Sequence, residues 1–132
     1  MKVLFLTESL DYGGAAKMIT FVANSLTDKN IEVTILLSKN DNIIQQSIDK
    51  RIKIINNIHT NGQLKHIKNI YRLKNIIKGE NPNIVVSFLT FPNLYASIIG
   101  VLSNVPVIIS ERGNPFALKG IKNKIILWMF NL

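Results

Sequence analysis

The sequence predicts an α/β domain built on a doubly wound parallel sheet. Five short apolar runs recur along the chain without polar alternation, as strands covered on both faces require. Helical patterns separate most of them, so the alternation implies right-handed crossovers between parallel strands. With 132 residues, 47% of them hydrophobic, the chain is large enough to bury one core.

Val3 to Leu6 forms the first run. Gly14 to Leu26 follows as an amphipathic helix, with Ala15, Met18, Ile19, Val22, Ala23 and Leu26 on one stripe. Glu32 to Leu37 is the second strand, and Ile52 to Ile55 the third, after a polar excursion. Gln63 to Lys78 reads as a helix whose apolar stripe is Leu64, Ile67, Ile70, Tyr71 and Ile77. Ile84 to Leu89 is the fourth strand, Asn93 to Leu102 a short helix apolar nearly throughout, and Val105 to Ile109 the fifth strand.

The expected strand order is 3-2-1-4-5, reversing beside strand 1. Ligands of such sheets lie outside the carboxyl ends of the strands at that reversal, which points to the loops at 8–14, 89–93 and 110–115. The expected organisation is one domain over residues 1–118 and the start of an apolar helix over 119–132. In that last segment Ile121, Ile125, Trp128 and Met129 are spaced to pack on something, and either a truncated chain or a partner chain accounts for it.

The chain holds 22 Ile, 16 Asn and 13 Lys, types with codons rich in A and T, which fits a bacterial genome of low GC content. The formal charge is +8, and the excess sits in the second half: residues 62–132 carry nine Lys and Arg against two acids. Such a surface suits phosphate-rich substrates, anionic headgroups or nucleic acid. Phe88, Phe91 and Tyr95 fall in an apolar strand-helix unit rather than among the lysines, so no stacking platform for nucleic acid is evident and none is expected as a partner.

Cysteine is absent, which excludes disulfides and thiolate metal sites and fits a reducing cytosol. VLFL is too short for a signal peptide, and no run approaches the roughly 18 apolar residues of a membrane span. A cytoplasmic protein is expected, soluble or held at the inner face of a membrane.

Three stretches carry candidate chemistry. DYGGAAKM, residues 11–18, places Gly13 and Gly14 between strand 1 and a helix; either the backbone approaches a phosphate there, or the pair serves a tight turn with positive φ. Neither the dinucleotide fingerprint nor the P-loop is present. In SFLTFPN, residues 87–93, Asn93 reads as a helix N-cap or a substrate contact, and Ser87 and Thr90 as locally satisfied. In SERGNP, residues 110–115, Glu111 and Arg112 either pair structurally or hold hydroxyl and phosphate groups.

The helix over 63–78 adds Lys65, Lys68, Arg72 and Lys74 as a solvated face or a docking face for an anionic membrane surface. His66 reads as surface and His59 as loop, with no second ligand at metal spacing. No nucleophilic triad or carboxylate pair is visible.

MKVLFLTESLDYGGAAKMITFVANSL, IEVTILL, NPNIVVSFLTFPNLYASIIG and VPVIISERGNP, in this order, resemble the N-terminal domain of bacterial glycosyltransferase family 4 enzymes over essentially the whole chain. The resemblance implies a GT-B architecture: two Rossmann-like domains, the first on the acceptor side and the second binding a nucleotide sugar. It implies retention of anomeric configuration, no metal or other cofactor, a glycan or lipid-linked acceptor, and a branch building surface polysaccharides.

By that resemblance Gly13 and Gly14 approach the donor diphosphate, while Glu111, Arg112, Asn114 and Asn93 contact acceptor or sugar. The family commonly reads GGAER where this chain has GGAAK, and many relatives carry a His near Glu111. The C-terminal donor domain is not within these 132 residues. An isolated chain of this kind is expected to be inactive; the alternative is a non-catalytic module docking on a membrane or on a separately encoded catalytic partner.

Overall fold

A computed structural model describes residues 1–11, 13–38, 47–56 and 65–111. The elements run β1 (Lys2–Thr7), α1 (Gly14–Asp28), β2 (Glu32–Leu37), β3 (Lys53–Ile55), α2 (Lys65–Glu80), β4 (Ile84–Phe88), α3 (Thr90–Ser103) and β5 (Val107–Ser110). The strands form one parallel sheet in the order β3-β2-β1-β4-β5, as the sequence predicts. The segment 119–132 and His59 lie outside the described residues.

β1 is the centre of this sheet, with Val3 opposite Val33 on one side and Ile84 on the other. Its side chains alternate between faces. Val3 and Phe5 join Val33, Ile35 and Leu37 and the α1 residues Ile19 and Ala23 in one cluster. Leu4 and Leu6 join Leu36 and Val85 in the other, closed by Leu73 and Ile77 of α2 and by Tyr95, Ala96 and Ile99 of α3. Each such large side chain taken fully from water contributes roughly 1.5–3 kcal/mol, so the two clusters supply most of the driving force.

α2 sits at a different rotation from the one its apolar pattern suggests, whereas in α1 the expected stripe holds at Ile19, Val22, Ala23 and Leu26. In α2 the buried row is Asn69, Leu73 and Ile77, while Ile67 and Tyr71 are each 67% exposed. The expected stripe counted apolar residues; the neighbours β1 and α3 instead select a row one step round, which includes a polar Asn. In α1, Met18 is 40% exposed and Thr27 is buried, its hydroxyl donating to the Ala23 carbonyl at 2.9 Å.

Each of these helices is followed by an asparagine in the left-handed region: Asn30 (φ 59°), Asn81 (φ 46°) and Asn104 (φ 52°). Asn tolerates that conformation better than other residues with a side chain, so these turns explain part of the asparagine content. After α3 the chain turns tightly into β5. A Cβ at Gly100 would lie 2.5 Å from Val107 Cγ2 and 3.2 Å from the Val105 carbonyl oxygen, so only glycine lets α3 approach β5 this closely.

The amino edge of the sheet is held by charge. Glu80, at the end of α2 with its side chain 11% exposed, accepts from Lys2 Nζ at 2.7 Å and Lys53 Nζ at 2.5 Å, linking β1, β3 and α2. Lys2 also pairs with Glu32 at 2.7 Å. The Lys2 and Lys53 hydrogen bonds hold the Glu80 carboxyl below its ordinary range, and those of Glu32 and Glu80 raise the Lys2 ammonium above its own.

Gly100→Ala should destabilise the fold by about 1–3 kcal/mol through overpacking against Val107, measurable by urea unfolding. The contribution of Glu80 is complete above its ordinary value of 4.5 and is lost as pH falls through the lower native value; that of Lys2 is complete below 10.5 and is lost as pH rises through the higher one. Glu80→Gln should therefore lower stability at neutral pH by about 1–3 kcal/mol. The gap from the parent chain should narrow below pH 4.5; an equal gap at both pH values would mean that ionisation of Glu80 is not responsible.

Candidate functional site

Because all five strands are parallel, their carboxyl ends lie along one edge, and β1 stands where the strand order reverses. The loop after β1 carries Ser9, whose hydroxyl donates to the Asp11 carboxylate. Gly13 is the N-cap of α1 and makes no side-chain cap, and the first turn holds no acidic residue. Lys17 N–H bonds back to the Gly13 carbonyl at 3.1 Å. Among the described residues, the N–H groups at the start of α1 thus meet no capping side chain at the positive end of a 15-residue helix.

The glycines are not explained by the turn. Gly13 has φ 174° and ψ 162°, extended backbone open to any residue, and Gly14 is helical. A Cβ added to either would meet nothing within 4 Å. Neither positive φ nor packing inside the chain requires glycine at these positions, and the tight-turn reading is set aside.

What the glycines border is an open cleft of about 440 Å³, lined by Ser9, Asp11 and Gly13 to Ala16, with Leu89 across from them. A second cleft of about 440 Å³ adjoins it along α1, where Lys17, Thr20, Phe21 and Asn24 face Leu10 and Ser47. Asn24 fixes that wall: its amide donates to the Ser47 carbonyl at 2.7 Å and its oxygen accepts from Asp49 N–H at 3.0 Å. Asp11 lines both clefts, and a carboxylate there disfavours a bare anion beside it but can accept hydroxyl donors.

Leu89, the N-cap of α3, has φ 74° and ψ 157°. That region is essentially reserved for glycine and costs on the order of 1–3 kcal/mol. It is held by its N–H donating to the Ser110 carbonyl at 3.2 Å and by its carbonyl accepting from Asn93 N–H at 2.9 Å. Strain of this kind collects at functional sites, and here it faces the glycine cleft.

Asn93 is not an N-cap. α3 begins three residues earlier, at Thr90, because a proline in the first turn, Pro92, loses no intrahelical hydrogen bond. The Asn93 side chain is fully buried instead. Its oxygen accepts from Ser87 Oγ at 2.6 Å; its amide donates to the Ser110 carbonyl at 3.3 Å and to Glu111 Oε2 at 3.4 Å. One side chain therefore ties β4, α3 and β5 together behind Glu111, which is exposed at the end of β5.

Arg112 and Asn114 lie outside the described residues. Lys68, Arg72 and Lys74 are exposed on α2 and line neither cleft; Lys65 belongs to the same helix. His66 is more than a surface residue: its Nδ1 lies 2.7 Å from the Tyr95 hydroxyl and fastens α2 to α3.

Ser9, Asp11 and Leu89 lie in the loops at 8–14 and 89–93 to which the sequence points, but no motif singles them out, and nothing in a sequence marks a strained leucine. Thr7 Oγ1 and Ser38 Oγ, buried at the carboxyl ends of β1 and β2, have no hydrogen-bond partner among the described residues, and neither has Ser103 Oγ at the end of α3.

A parallel sheet of this order, with a glycine-edged cleft at its reversal, defines a Rossmann-like domain of the kind that holds ligands at the carboxyl edge. Residues 2–132 match the family model described as glycosyl transferase 4-like, and the chain belongs to that family.

Among solved structures the chain resembles the lipopolysaccharide outer core galactosyltransferase WaaB in its apo form, with TM-score 0.73 and 20% identity over 97% of this chain and 37% of that one. It resembles MurG of Acinetobacter baumannii with TM-score 0.69 and 19% identity over 96% of this chain and 38% of that one. The UDP-GlcNAc 2-epimerase of Methanocaldococcus jannaschii gives TM-score 0.63 and 14% identity over 96% and 35%.

These likenesses establish the fold, that of a Rossmann-like domain of GT-B glycosyltransferases. The chain spans less than two-fifths of the length of each of these structures. No curated protein is significantly similar in sequence.

Asn93→Ala should destabilise the domain by about 2–3 kcal/mol, since it leaves a cavity and strands the Ser87 hydroxyl. A thermal shift within error of the parent would show that the buried amide does not join β4 to β5.

Proposed function

We propose that the chain is the acceptor-side domain of a retaining glycosyltransferase. It would use a nucleotide-diphosphate sugar without a metal or other cofactor, and build surface polysaccharide or a related glycan on a glycan or lipid-linked acceptor. The observation that carries this reading is the glycine pair at an uncapped helix N-terminus, with no internal need for glycine, opening on a cleft of about 440 Å³. The glycines keep Cβ atoms out of the path of a diphosphate, and the first-turn N–H groups with the helix dipole attract its charge.

Membership of the glycosyl transferase 4-like family separates this reading from the epimerase that shares the fold. In this reading Asp11, at the cleft, and Glu111, which accepts a hydrogen bond from Asn93, would accept sugar hydroxyls. Arg112 and Asn114 are assigned to acceptor or sugar contacts on the family resemblance alone. No described residues assemble a reaction centre; in this reading the nucleotide pocket belongs to a second domain, and the 132 residues alone transfer no sugar.

Titration of the isotope-labelled chain with pyrophosphate and with uridine diphosphate should shift the amide signals of Gly13 to Lys17. Half a site should bind weakly, with Kd on the order of 1 mM or above. Gly13→Val with Gly14→Val should remove the shifts without unfolding the domain, because both added side chains point into open space. Shifts confined to other residues, or turnover of a nucleotide sugar by the purified chain, would overturn the assignment.

A further inference from the structure

The apolar stripe of α1 packs on the sheet through Ile19 and Ala23, with Ala16, Val22 and Leu26 beside them. A second row on the same helix is turned elsewhere. Lys17, Thr20, Phe21 and Asn24 fall at positions i, i+3, i+4 and i+7, so they share one flank, and all four line the second cleft of about 440 Å³. Phe21 is 70% exposed there, so burial in the core does not account for an aromatic ring at this position.

The polar groups around that ring are fixed. Asn24 donates to the Ser47 carbonyl at 2.7 Å and accepts from Asp49 N–H at 3.0 Å, which holds the far wall against the helix and leaves the amide a second N–H to donate. Asp11 is held by the Ser9 hydroxyl and has further lone pairs to accept with. One acid, Asp11, and one base, Lys17, line the cleft, so it selects no single sign of charge.

We propose that this cleft is a saccharide subsite, in which a neutral pyranose lays its C–H face on Phe21 while its hydroxyls bond to Asp11, Thr20 and the Asn24 amide. The face of an aromatic ring is electron-rich and attracts the C–H groups of a sugar, while the hydroxyls around the sugar's rim require fixed donors and acceptors at the sides. The cleft supplies both, in a volume within the range of small-ligand sites. A purely apolar ligand would cover Asp11 and Asn24 without partners for them, at a cost in desolvation.

The subsite has a place relative to the glycines. Phe21 follows Gly13 by eight residues, roughly 12 Å along the helix axis. Asp11, Gly13 and Ala16 line both clefts, so the two are continuous. With a diphosphate at the glycines, a sugar on Phe21 lies farther off than one ring reaches, so it is a unit of the acceptor beyond the one that reacts. The acceptor is then a glycan of at least two sugars. That consequence rests on the transferase reading, whereas saccharide binding by the cleft does not.

The test is titration of the isotope-labelled chain with methyl glucoside, methyl galactoside, the methyl glycoside of N-acetylglucosamine, lactose and maltose. At least one should shift the Phe21 ring and Asn24 side-chain amide signals, with Kd on the order of 10 mM. For that sugar, read at Asn24, Phe21→Trp should keep Kd within about threefold, while Phe21→Leu and Phe21→Ala should each raise it about fivefold or more, because Leu is apolar but has no aromatic face. Circular dichroism should be unchanged in all three, since Phe21 is outside the core.

Absence of shifts with all five sugars would overturn the inference, as would binding that survives Phe21→Leu. Cyclohexanol bound as well as the best sugar would reduce the cleft to an apolar surface, and uridine bound more tightly than any sugar would make it a base site; either result overturns the assignment. The saccharide titration contains no diphosphate and is read at Phe21 and Asn24, so its failure leaves the pyrophosphate result standing, and the reverse holds too.

Discussion

β1 has a hydrogen-bonded neighbour on each edge and helices over each face, and nearly everything else in the domain follows from that position. A strand so enclosed exposes no side, so successive residues must be apolar, and KVLFLT supplies them. Val3 and Phe5 anchor α1, while Leu4 and Leu6 anchor α2 and α3. Parallel pairing on both sides of β1 then forces the loops after β1, β4 and β5 to the same edge. The glycine pair and Leu89 line one cleft for that reason, and Leu89 is hydrogen-bonded to Ser110, the residue before Glu111, although they are far apart in sequence.

The two edges of the sheet divide stability from function. At the amino edge Glu80 bridges two lysines, and Lys2 N–H and C=O are both met by Asn83, at 2.7 Å and 2.9 Å, although the Ser103 hydroxyl at the end of α3 is buried without a partner among the described residues. At the carboxyl edge α1 starts without a side-chain cap, Leu89 is held in a glycine-like conformation, and Thr7 and Ser38 bury hydroxyls without partners. Departures from local rules concentrated at the carboxyl edge are what a ligand site on a stable scaffold looks like. Asn93 reconciles the two demands, because the same buried amide that joins β4 to β5 also reaches Glu111.

α2 connects these edges. Its end is tied to β1 and β3 through Glu80, and its beginning is tied to α3 through His66 and Tyr95. Both ends are tied in the orientation that buries Asn69, Leu73 and Ile77 and leaves Ile67 and Tyr71 exposed.

The sequence by itself determined the strands, their parallel order and the edge at which a ligand would lie, because buried parallel strands must be continuous apolar runs and their crossovers have one hand. It also marked Gly13, Gly14 and Glu111 as residues at that edge. Tertiary structure alone decided which face of α2 is buried, since an Ile and a Tyr at helical spacing fit either side until β1 and α3 choose the Asn69 row.

Tertiary structure also decided that Asn93 lies within α3 as a buried link rather than at its cap, since a helix boundary shifted by one turn is invisible in an apolar stretch containing an early proline. The close approach of α3 to β5 at Gly100 was hidden as well, for a glycine required by distance looks in sequence like any other. At Gly13 and Gly14 the converse holds: the pair was conspicuous, but only the empty space where their side chains would stand shows that the fold does not need them.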